Sequence, residues 1–569
     1  MTANGQPSAD VVIVGGGPVG LMLAAELRLG GVDPVVLERL PAISEIPKGN
    51  GLFGQIVPML DYRGLTDRFR AEATYAGPVP QFQFGPLQLD FTRLDNSPLH
   101  VLAMPQRRLE RLLGDRLREL GGSVRRGHEV LGMSVAGDGL SVMLDAHGPD
   151  GDYRLRTRYL AGCDGAHSLV RKQAGIGFPG LTSSEISRIG RVVLPTVTIA
   201  PGGGQAEVPG LGQVRLMGPT QTARGVFTLA PLASLDKNAA PGVFIVHTRE
   251  GENGPAVPSD ERAADPGAGR AGSEAGTADP DAPMTLDELR ASVRRVLGID
   301  LPMTDPQWLT RTLGNSRTAE RFRSGPVLLA GDAAHIFGAG GSLNAGLLDA
   351  LNLGWKLAAQ VRGWAPDGLL DSYHAERYAA SRRTILQTRA QKALSAGGEY
   401  AQALRDLFAE LLTYPEPARH VGAMIEGSDI RYQMRSPGQP PPATPLTPQP
   451  ATHPLTGLLA PDLRLETSQG RTRVAELVRP ARGVLLDLTA DAGLAGAASG
   501  WADRLSVVCA RSTAVPAPAS AMLIRPDGYV AWAASADARD PALGLDQALR
   551  AWFGQPRAGT DTPVAGPQR

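Results

Sequence analysis

Near its start the chain reads Val11-Val12-Ile13-Val14-Gly15-Gly16-Gly17-Pro18-Val19-Gly20. The four apolar residues are typical of a buried strand, and the glycine cluster leads into a helical stretch from Leu21 to Leu29. A second strand is predicted from Pro34 to Glu38. A strand, a glycine-rich turn, a helix and a strand within about 30 residues form the βαβ unit of a dinucleotide-binding fold.

Three glycines of this stretch have the spacing Gly-x-Gly-x-x-Gly, which allows a tight turn, close approach of the backbone to a pyrophosphate, and close packing of helix on strand. The phosphate charge then lies at a helix N-terminus, where free N–H groups and the helix dipole favour an anion. An acidic residue at the end of the second strand can accept hydrogen bonds from a ribose. The pattern predicts a dinucleotide site, with a purely structural glycine turn as the alternative, formed by Gly15, Gly17, Pro18, Val19, Gly20 and Glu38.

The composition is that of a folded protein, since 42% of the 569 residues are apolar and 20% are charged. Lys and Arg total 57, as do Asp and Glu, so no net field attracts nucleic acid or an anionic membrane. The two cysteines, Cys163 and Cys509, give neither a disulfide framework nor a thiolate metal site. The first ten residues lack a signal-peptide pattern. We expect a cytoplasmic protein with a small-molecule partner and no metal, membrane or nucleic acid.

Two later stretches resemble sequence motifs of one enzyme family. Cys163-Asp164-Gly165-Ala166-His167-Ser168-Leu169-Val170-Arg171 is similar to the DG motif, and Leu329-Ala330-Gly331-Asp332-Ala333-Ala334-His335 to the GD motif, of group A flavoprotein monooxygenases. Alone, each motif is also compatible with a turn capped by Asp. The resemblance covers nearly the whole chain and is closest to aromatic polyketide hydroxylases that act on angucyclines and anthracyclines, with rifamycin-type monooxygenases as relatives.

This resemblance implies an α/β fold in three parts. They are a Rossmann-like FAD-binding domain, an antiparallel-sheet substrate domain as in para-hydroxybenzoate hydroxylase, and a C-terminal thioredoxin-like domain. The predicted boundaries are 1–185 for the first part of the FAD domain, with 78–100 contributed to the substrate domain; 186–303 for the sheet domain, with a disordered insert at 251–283; and 304–435 for the second FAD part with scaffold helices.

The remainder of the chain is predicted to contain a linker at 436–454, the thioredoxin-like domain at 455–556 and a disordered tail at 557–569. The stretch Ile524–Trp532 matches a hairpin typical of that domain. The domain has no Cys-x-x-Cys pair, so dithiol redox chemistry is not expected. In the scaffold region, Leu404, Leu407, Leu411 and Leu412 recur at helical spacing, which predicts scaffold helices.

The resemblance also assigns cofactor contacts by position. Glu38 and Arg39 are expected at the adenosine end of FAD, Val130 beside the adenine, and Gln106 near the pyrophosphate or ribityl chain. Asp332 is expected to bind a ribityl hydroxyl. Asp164, with Arg171, is assigned both to the pyrophosphate region and to NAD(P)H docking. The loop after the GD motif starts a helix whose free amides suit a reduced flavin, and its expected contact residues are Gly340, Gly341, Leu343 and Asn344.

The chain departs from the family pattern at the flavin. Family members usually have a proline before the Gly-Gly pair of this loop, where this chain has Gly338, and the segment between His335 and Asn344 is two residues shorter. They also commonly have Arg at the positions of Lys48, an expected cofactor contact, and Gln55. Lys replaces a forked donor with a point charge, so the shape and charge around the flavin ring are expected to differ.

By resemblance, NADPH or NADH reduces the FAD, O2 adds to form a C4a-hydroperoxide, and one oxygen passes to an aromatic ring. The chemistry occurs on the flavin, and no side-chain general base is identified. Hydroxylation of a multicyclic polyketide in antibiotic biosynthesis is the leading hypothesis. Baeyer–Villiger or ring-opening oxygenation, including antibiotic inactivation, and a non-oxygenating flavin-binding protein are the alternatives. A homodimer is possible.

Overall fold

A computed structural model describes residues 8–46, 49, 51–137, 139–222, 224–250, 283–338, 341–434, 453–489, 493–514, 516–535, 537–538 and 540–557. Residues 251–282 of the predicted insert, 436–452 of the predicted linker and 558–569 of the predicted tail lie outside these residues, as do Lys48 and Gly340. Among the described helices, none is both long and apolar enough to cross a bilayer.

The first segment of the chain builds most of the N-terminal domain. Its strands are β1 (Ser8–Val14), β2 (Val35–Glu38), β3 (Gly51–Phe53), β4 (Tyr75–Pro78), β5 (Gln81–Phe84), β6 (Leu87–Asp90), β7 (His100–Ala103), β8 (Val124–Arg126), β9 (Glu129–Val135), β10 (Val142–Gly148) and β11 (Gly151–Gly162). Its helices are α1 (Pro18–Leu29), α2 (Ile56–Asp61), α3 (Thr66–Glu72), α4 (Gln106–Glu119) and α5 (Leu169–Gln173).

The middle segment forms the sheet domain. Its strands are β12 (Gly180–Val193), β13 (Thr198–Ile199), β14 (Gln205–Val208), β15 (Gly212–Arg215), β16 (Pro219–Thr222), β17 (Gly225–Pro231), β18 (Val243–Glu250) and β19 (Thr304–Thr318), and its helix is α6 (Leu286–Leu297). The strands of its six-stranded sheet lie in the order β16-β17-β18-β12-β19 and then β22, the strand after the GD motif.

The chain then returns to the N-terminal domain with β20 (Arg323–Ser324), β21 (Val327–Leu329), β22 (His335–Ile336), α7 (Ser342–Val361), α8 (Asp371–Leu394), α9 (Glu399–Leu411) and α10 (Pro415–Glu426). The main sheet of this domain follows the order β20-β21-β11-β1-β2-β8. Strands β1, β2, β8, β11 and β21 run parallel. Helices α1 and α7 pack together beside it, since a Cβ at Gly354 of α7 would lie 2.4 Å from the Glu26 Cβ of α1.

The C-terminal domain contains β23 (Arg464–Thr467), β24 (Gly470–Arg473), β25 (Gly483–Asp487), β26 (Leu505–Cys509), β27 (Arg511–Ser512), β28 (Ala521–Ile524) and β29 (Val530–Ala534), with α11 (Val474–Leu477) and α12 (Leu545–Phe553). Its four-stranded sheet has the order β26-β25-β28-β29. The pair β25–β26 is parallel, and β28 and β29 form the antiparallel hairpin that the sequence predicts. This arrangement is thioredoxin-like.

The structure differs from the predicted boundaries in the middle of the chain. The sheet domain extends beyond 186–303, because β12 begins at Gly180 and β19 spans Thr304–Thr318. Residues 78–100 contribute β5 and β6, which pack against α8 and α10 through a shared apolar cluster and reach the sheet domain through the Arg215–Gln88 hydrogen bond of 2.7 Å. Strand pairing over long distances, which local patterns do not encode, sets these limits.

The scaffold helices form, but the leucines that set the helical spacing of α9 are not covered. Leu404, Leu407 and Leu411 are 44%, 55% and 42% exposed. By contrast, α7 is buried along most of its length. Helical spacing identified the helix; it could not show whether another element covers its apolar side.

Candidate flavin site

The three motif stretches meet at the carboxyl edge of the parallel sheet. The Cys163 N–H donates to the Val14 carbonyl at 2.8 Å, and the Ala330 N–H donates to the Gly162 carbonyl at 3.0 Å. The ends of β1, β11 and β21 are therefore side by side. Ligands of open parallel sheets bind at this edge, so the fold brings together residues that are more than 300 positions apart in sequence.

The first glycine turn leaves an open space at the start of α1. Gly15 has a φ of +105°, and a Cβ there would lie 2.4 Å from the Cys163 carbonyl oxygen. A Cβ at Gly20 would lie 2.0 Å from the Gly15 oxygen. A Cβ at Gly17 would meet no described atom within 4 Å, and Pro18 occupies the first turn of the helix. The turn thus leaves open space at a helix N-terminus, where a pyrophosphate can bind.

The predicted adenosine-end residues lie around β2. Glu38 accepts hydrogen bonds from the Gly16 N–H at 2.7 Å and the Leu40 N–H at 2.9 Å. Each carboxylate oxygen keeps a second lone pair, so a ribose hydroxyl can still donate to it. Arg39 is exposed beside it. Val130 is 7% exposed on β9, and the His128 N–H donates to the Glu38 carbonyl at 3.0 Å, which places Val130 near Glu38.

The DG motif residues are engaged by the protein. Asp164 accepts from the Ser168 hydroxyl at 2.6 Å and from the Val170 N–H at 3.1 Å. Arg171 is 4% exposed, donates to the Ala333 carbonyl at 3.1 Å, and stacks on Phe178 at 3.9 Å. Arg171 therefore ties the DG turn to the GD turn, and this buried position does not favour a direct role in NAD(P)H docking.

The GD motif packs on the first glycine turn. A Cβ at Gly331, where φ is +63°, would lie 2.9 Å from a Val19 methyl group, and one at Gly346 of α7 would lie 2.8 Å from the same side chain. The Val19 side chain of α1 thus packs against both the GD turn and α7. Asp332 is exposed at this point, in the short helix Gly331–Ala333.

The N-terminus of α7 lies between this turn and the sheet domain. Gly341 precedes the helix with a φ of +90°. Asn344 accepts from the Phe53 N–H at 3.0 Å, and the loop is held to the sheet by the Gly338 N–H, which donates to the Ser316 hydroxyl at 3.1 Å. The first amides of α7 are therefore presented beside the cleft between the domains, where they can stabilise negative charge on a bound ring.

Gln106 approaches the same place from α4. Its side-chain oxygen accepts from the Gly49 N–H at 3.2 Å. A Cβ at Gly49 would lie 3.2 Å from Leu343 and 3.4 Å from the Gln106 Oε1 atom. Gln106 and Leu343 are therefore brought together on either side of Gly49.

Sequence reasoning missed Asp349, the central buried acceptor behind the site. It is 0% exposed and accepts from the Gly331 N–H at 3.0 Å, the His335 Nε2 atom at 2.7 Å and the Arg377 Nε atom at 2.7 Å. Burial acts to raise the pKa of Asp349, but the charges of His335 and Arg377 hold it below its usual value. The signal in the sequence was an aspartate within the predicted helix, two turns after the glycine loop.

The opening fits FAD on the features of the chain itself. The Gly17 position is open, the α1 N-terminus has the dipole that favours a pyrophosphate, and the first turns of α7 pack on the same Val19 side chain as the GD turn. Among the described residues, no three His, Cys, Asp or Glu side chains are grouped as metal ligands.

Comparison with known proteins agrees with this geometry. Residues 8–388 match the family described as FAD binding domain, and residues 453–556 match the family described as aromatic-ring hydroxylase, C-terminal. A relative from Streptomyces rimosus, 12-dehydrotetracycline 5-monooxygenase/anhydrotetracycline 6-monooxygenase, is 38% identical over 557 residues, which cover 96% of this chain and 99% of the relative. Rifampicin monooxygenase from Streptomyces venezuelae is 36% identical, with 97% and 100% covered.

A solved structure is similar over the same length. Anhydrotetracycline hydroxylase OxyS from Streptomyces rimosus has a TM-score of 0.79 and 36% sequence identity, with 96% of this chain and 100% of that chain covered. The likeness therefore includes the N-terminal, sheet and C-terminal domains together.

Proposed function

The chain belongs to the FAD-binding family of aromatic-ring hydroxylases, and on this premise we propose that it is an NAD(P)H- and O2-consuming monooxygenase that hydroxylates a multicyclic aromatic polyketide. The observation that carries the proposal is the meeting of three motif stretches with the α7 N-terminus at the edge of the sheet domain. One relative is named as an anhydrotetracycline 6-monooxygenase and aligns with 96% of this chain. This relative supports the substrate class.

We assign the cofactor contacts by their places in the fold. The Gly15–Gly20 turn and the α1 N-terminus hold the pyrophosphate, Glu38, Arg39 and Val130 the adenosine end, and Asp332 a ribityl hydroxyl. Gln106 is assigned to the pyrophosphate or ribityl chain, and Gly341, Leu343 and Asn344 to the ring. Lys48 and Gly340, which lie outside the described residues, are assigned to the cofactor by their sequence positions. Bound FAD supplies activation of O2 and transfer of one oxygen atom.

The residues of the chain have three tasks around that chemistry. The α7 amides stabilise negative charge at one edge of the ring. The loop from Gly338 to Asn344, held by Ser316 and by the Phe53 N–H, keeps the ring in place against the sheet domain. The sheet domain excludes water and places the aromatic ring of the substrate within reach, because proximity and orientation lower the barrier to transfer.

The test is turnover by purified, FAD-loaded protein. Anhydrotetracycline and a panel of angucyclinones and anthracyclinones are each added with NADPH or NADH under air, and cofactor oxidation, product mass and NMR are measured. We expect a substrate-stimulated oxidation of NADPH that matches, mole for mole, a product with one added phenolic hydroxyl. A Cys509→Ser variant is the matched control and should retain this activity, since Cys509 is exposed and outside the site.

Other outcomes would replace the proposal. A product heavier by one oxygen without a new phenol would identify Baeyer–Villiger or ring-opening chemistry. Tight binding of a polyketide without oxygen transfer, with either nicotinamide, would contradict monooxygenase activity and identify a non-oxygenating flavoprotein.

A further inference from the structure

The two faces of the six-stranded sheet are covered differently. On one face Phe227, Leu229, Val246 and Leu289 of α6 are all 0% exposed. Side chains alternate between the faces of a strand, so the neighbours of these residues point to the other side. Several of them are only half-buried although their strands have a partner on each side: Ile189, Arg191, Thr228, Ile245, His247 and Trp308. This second face therefore borders an open cleft.

The cleft lies between the sheet and the N-terminal domain, which is called the flavin-binding body below. At one end lies Arg107, which follows Gln106 on α4. Its guanidinium donates to Glu45 at 2.7 Å and to Asp236 at 2.9 Å. These three charged groups are close enough to Arg191 to affect its pKa. At the other end, Lys392 of α8 donates to the Ser183 hydroxyl at 2.5 Å. A molecule in this cleft would lie against the flavin loop.

Three nitrogen atoms of this face have no hydrogen-bond partner among the described residues. They are the Arg191 Nε, His247 Nε2 and Arg249 Nε atoms, all shielded from solvent. Arg191 pairs with Ile245, and Ile189 with His247, across β12 and β18, so Arg191 and His247 are diagonal neighbours, with Cα atoms about 7–8 Å apart. A shielded donor without a partner is costly, which points to a ligand atom that completes the pair.

The charge state of the pair selects the kind of ligand atom. Burial lowers the pKa of His247 to about 4, and the nearby Arg249 acts in the same direction, so His247 is neutral near pH 7. The Arg249 Nε atom, 3.9 Å from the Glu185 carboxylate, has a counter-charge of its own. Arg191 remains a cation although burial lowers its pKa. A fixed positive charge beside a neutral ring N–H suits an oxygen anion.

We propose that Arg191 and His247 bind an acidic phenol or enol oxygen of the substrate as its anion, with Arg191 supplying the charge and His247 an N–H hydrogen bond. The proposal rests on the proposed function and narrows the substrate to polycycles that carry an ionisable hydroxyl. The hydroxyl loses its proton to water in the cleft. The anion donates electron density to its ring, which makes the ring carbons more reactive toward an electrophilic oxygen.

The experiment measures binding to FAD-loaded protein without NADPH, so no turnover takes place. The probes are emodin, a trihydroxyanthraquinone, and its fully O-methylated ether. We expect emodin to bind at least about tenfold more tightly than the ether, since a charge-assisted hydrogen bond is lost with the ether. At a pH at which free emodin is neutral, bound emodin should show the red-shifted absorption of its anion.

Arg191→Gln should remove both the preference and the red shift, and His247→Phe should weaken the preference. Arg294→Gln is the matched control, because this arginine lies on α6 at the far side of the sheet in an exposed pair with Asp300; it should behave as wild type. FAD content and circular dichroism check that each variant is folded.

The proposal is overturned if wild type does not bind emodin, binds the two probes equally, or if Arg191→Gln keeps the preference and the red shift. The result is separate from the proposed function. If the protein binds the anion but oxygenates no substrate, the anion site is supported and the monooxygenase activity is refuted. If it turns over a substrate and Arg191→Gln keeps the preference for emodin, the activity is supported and the anion site is refuted.

Discussion

Asp349 fixes the geometry of the flavin loop from behind. It accepts from the GD turn through the Gly331 N–H, from β22 through His335, and from α8 through Arg377. All of these groups are buried. Removing one member of a buried ion pair is strongly destabilising, because the other charge is left without a partner. The carboxylate of α7 therefore joins the GD turn, β22 and α8 at one point.

Asp349→Asn should lower the free energy of unfolding by about 3–5 kcal/mol, because Arg377 is then buried without its carboxylate. Urea unfolding followed by circular dichroism measures this loss. Asp371→Asn is the control: its pair with Arg323 is partly exposed, so the expected change is under about 1 kcal/mol. Similar losses in the two variants would contradict the role of Asp349.

Asp332→Ala should weaken FAD binding by about 10- to 100-fold, since a hydrogen bond to a charged group contributes about 1.5–3 kcal/mol. The ratio of flavin absorbance to protein absorbance after dialysis, and a titration of the apoprotein with FAD, give the affinity. Asp367→Ala removes an exposed carboxylate in the turn before α8 and should leave affinity unchanged. Retention of full FAD content by Asp332→Ala would refute the assignment.

Acid should destabilise the protein in the range set by His247. Its folded pKa, about 4, is below the usual 6.5, so the unfolded chain takes up the proton first as pH falls. The contribution of His247 to the free energy of unfolding is complete above pH 6.5 and is lost as the pH falls toward 4. Thermal unfolding across this range should show a shallower decline for His247→Asn than for wild type. The exposed His147 provides the control, because His147→Asn should follow wild type; an unchanged slope for His247→Asn would count against this account.

At the level of single elements, α7 shows what the sequence can and cannot predict. The glycine loop and the leucines that follow it predict a helix, because both signals are local. The Phe53–Asn344 contact and the packing of Gly346 on Val19 join distant segments, and no local pattern encodes them. For the same reason the GxGxxG turn was predicted residue by residue, whereas Arg191 and His247, which become neighbours only through strand register, were not.

Gly341→Ala should distort the start of α7, since a left-handed conformation costs an L-residue about 1–2 kcal/mol and Gly341 has a φ of +90°. We expect lower stability by that amount and weaker FAD binding, measured by unfolding and by flavin titration. Gly114→Ala is the matched control within α4, where an added Cβ meets no described atom within 4 Å. This control should be neutral or stabilising by up to about 1 kcal/mol; a loss as large as that of Gly341→Ala would contradict the argument from φ.

Across the whole molecule, the C-terminal domain and the flavin-binding body share one interior. Arg525 is 0% exposed and bonds to Glu376 of α8 at 2.6 Å. Arg63 joins Glu26 of α1 at 2.6 Å and donates to the Pro526 carbonyl at 2.8 Å. Composition and linker pattern predicted a separate C-terminal domain, but contacts such as the Arg525–Glu376 ion pair and the Arg63–Pro526 hydrogen bond join residues far apart in the sequence, so no local pattern could show this shared interior.

The body and the C-terminal domain should therefore unfold together. Calorimetry is expected to give one transition whose calorimetric and van't Hoff enthalpies agree. Arg525→Met leaves Glu376 and Asp527 without their shared cation and should destabilise by about 3–5 kcal/mol. Arg511→Met, in an exposed pair with Glu466, is the control. Two separate transitions in wild type would show that the interface does not couple the domains.

The order of segments along the chain has a consequence for synthesis on the ribosome. Strand β1 and the first glycine turn emerge early, but β21, the GD turn and α7, which complete the flavin site, come only after the whole sheet domain. At roughly 5–20 residues per second, about 20–70 s separate the two. During that interval the nascent flavin-binding sheet lacks strands β20 and β21 at one edge and has no helix α7, so the complete cofactor site can form only after α7 has emerged and docked.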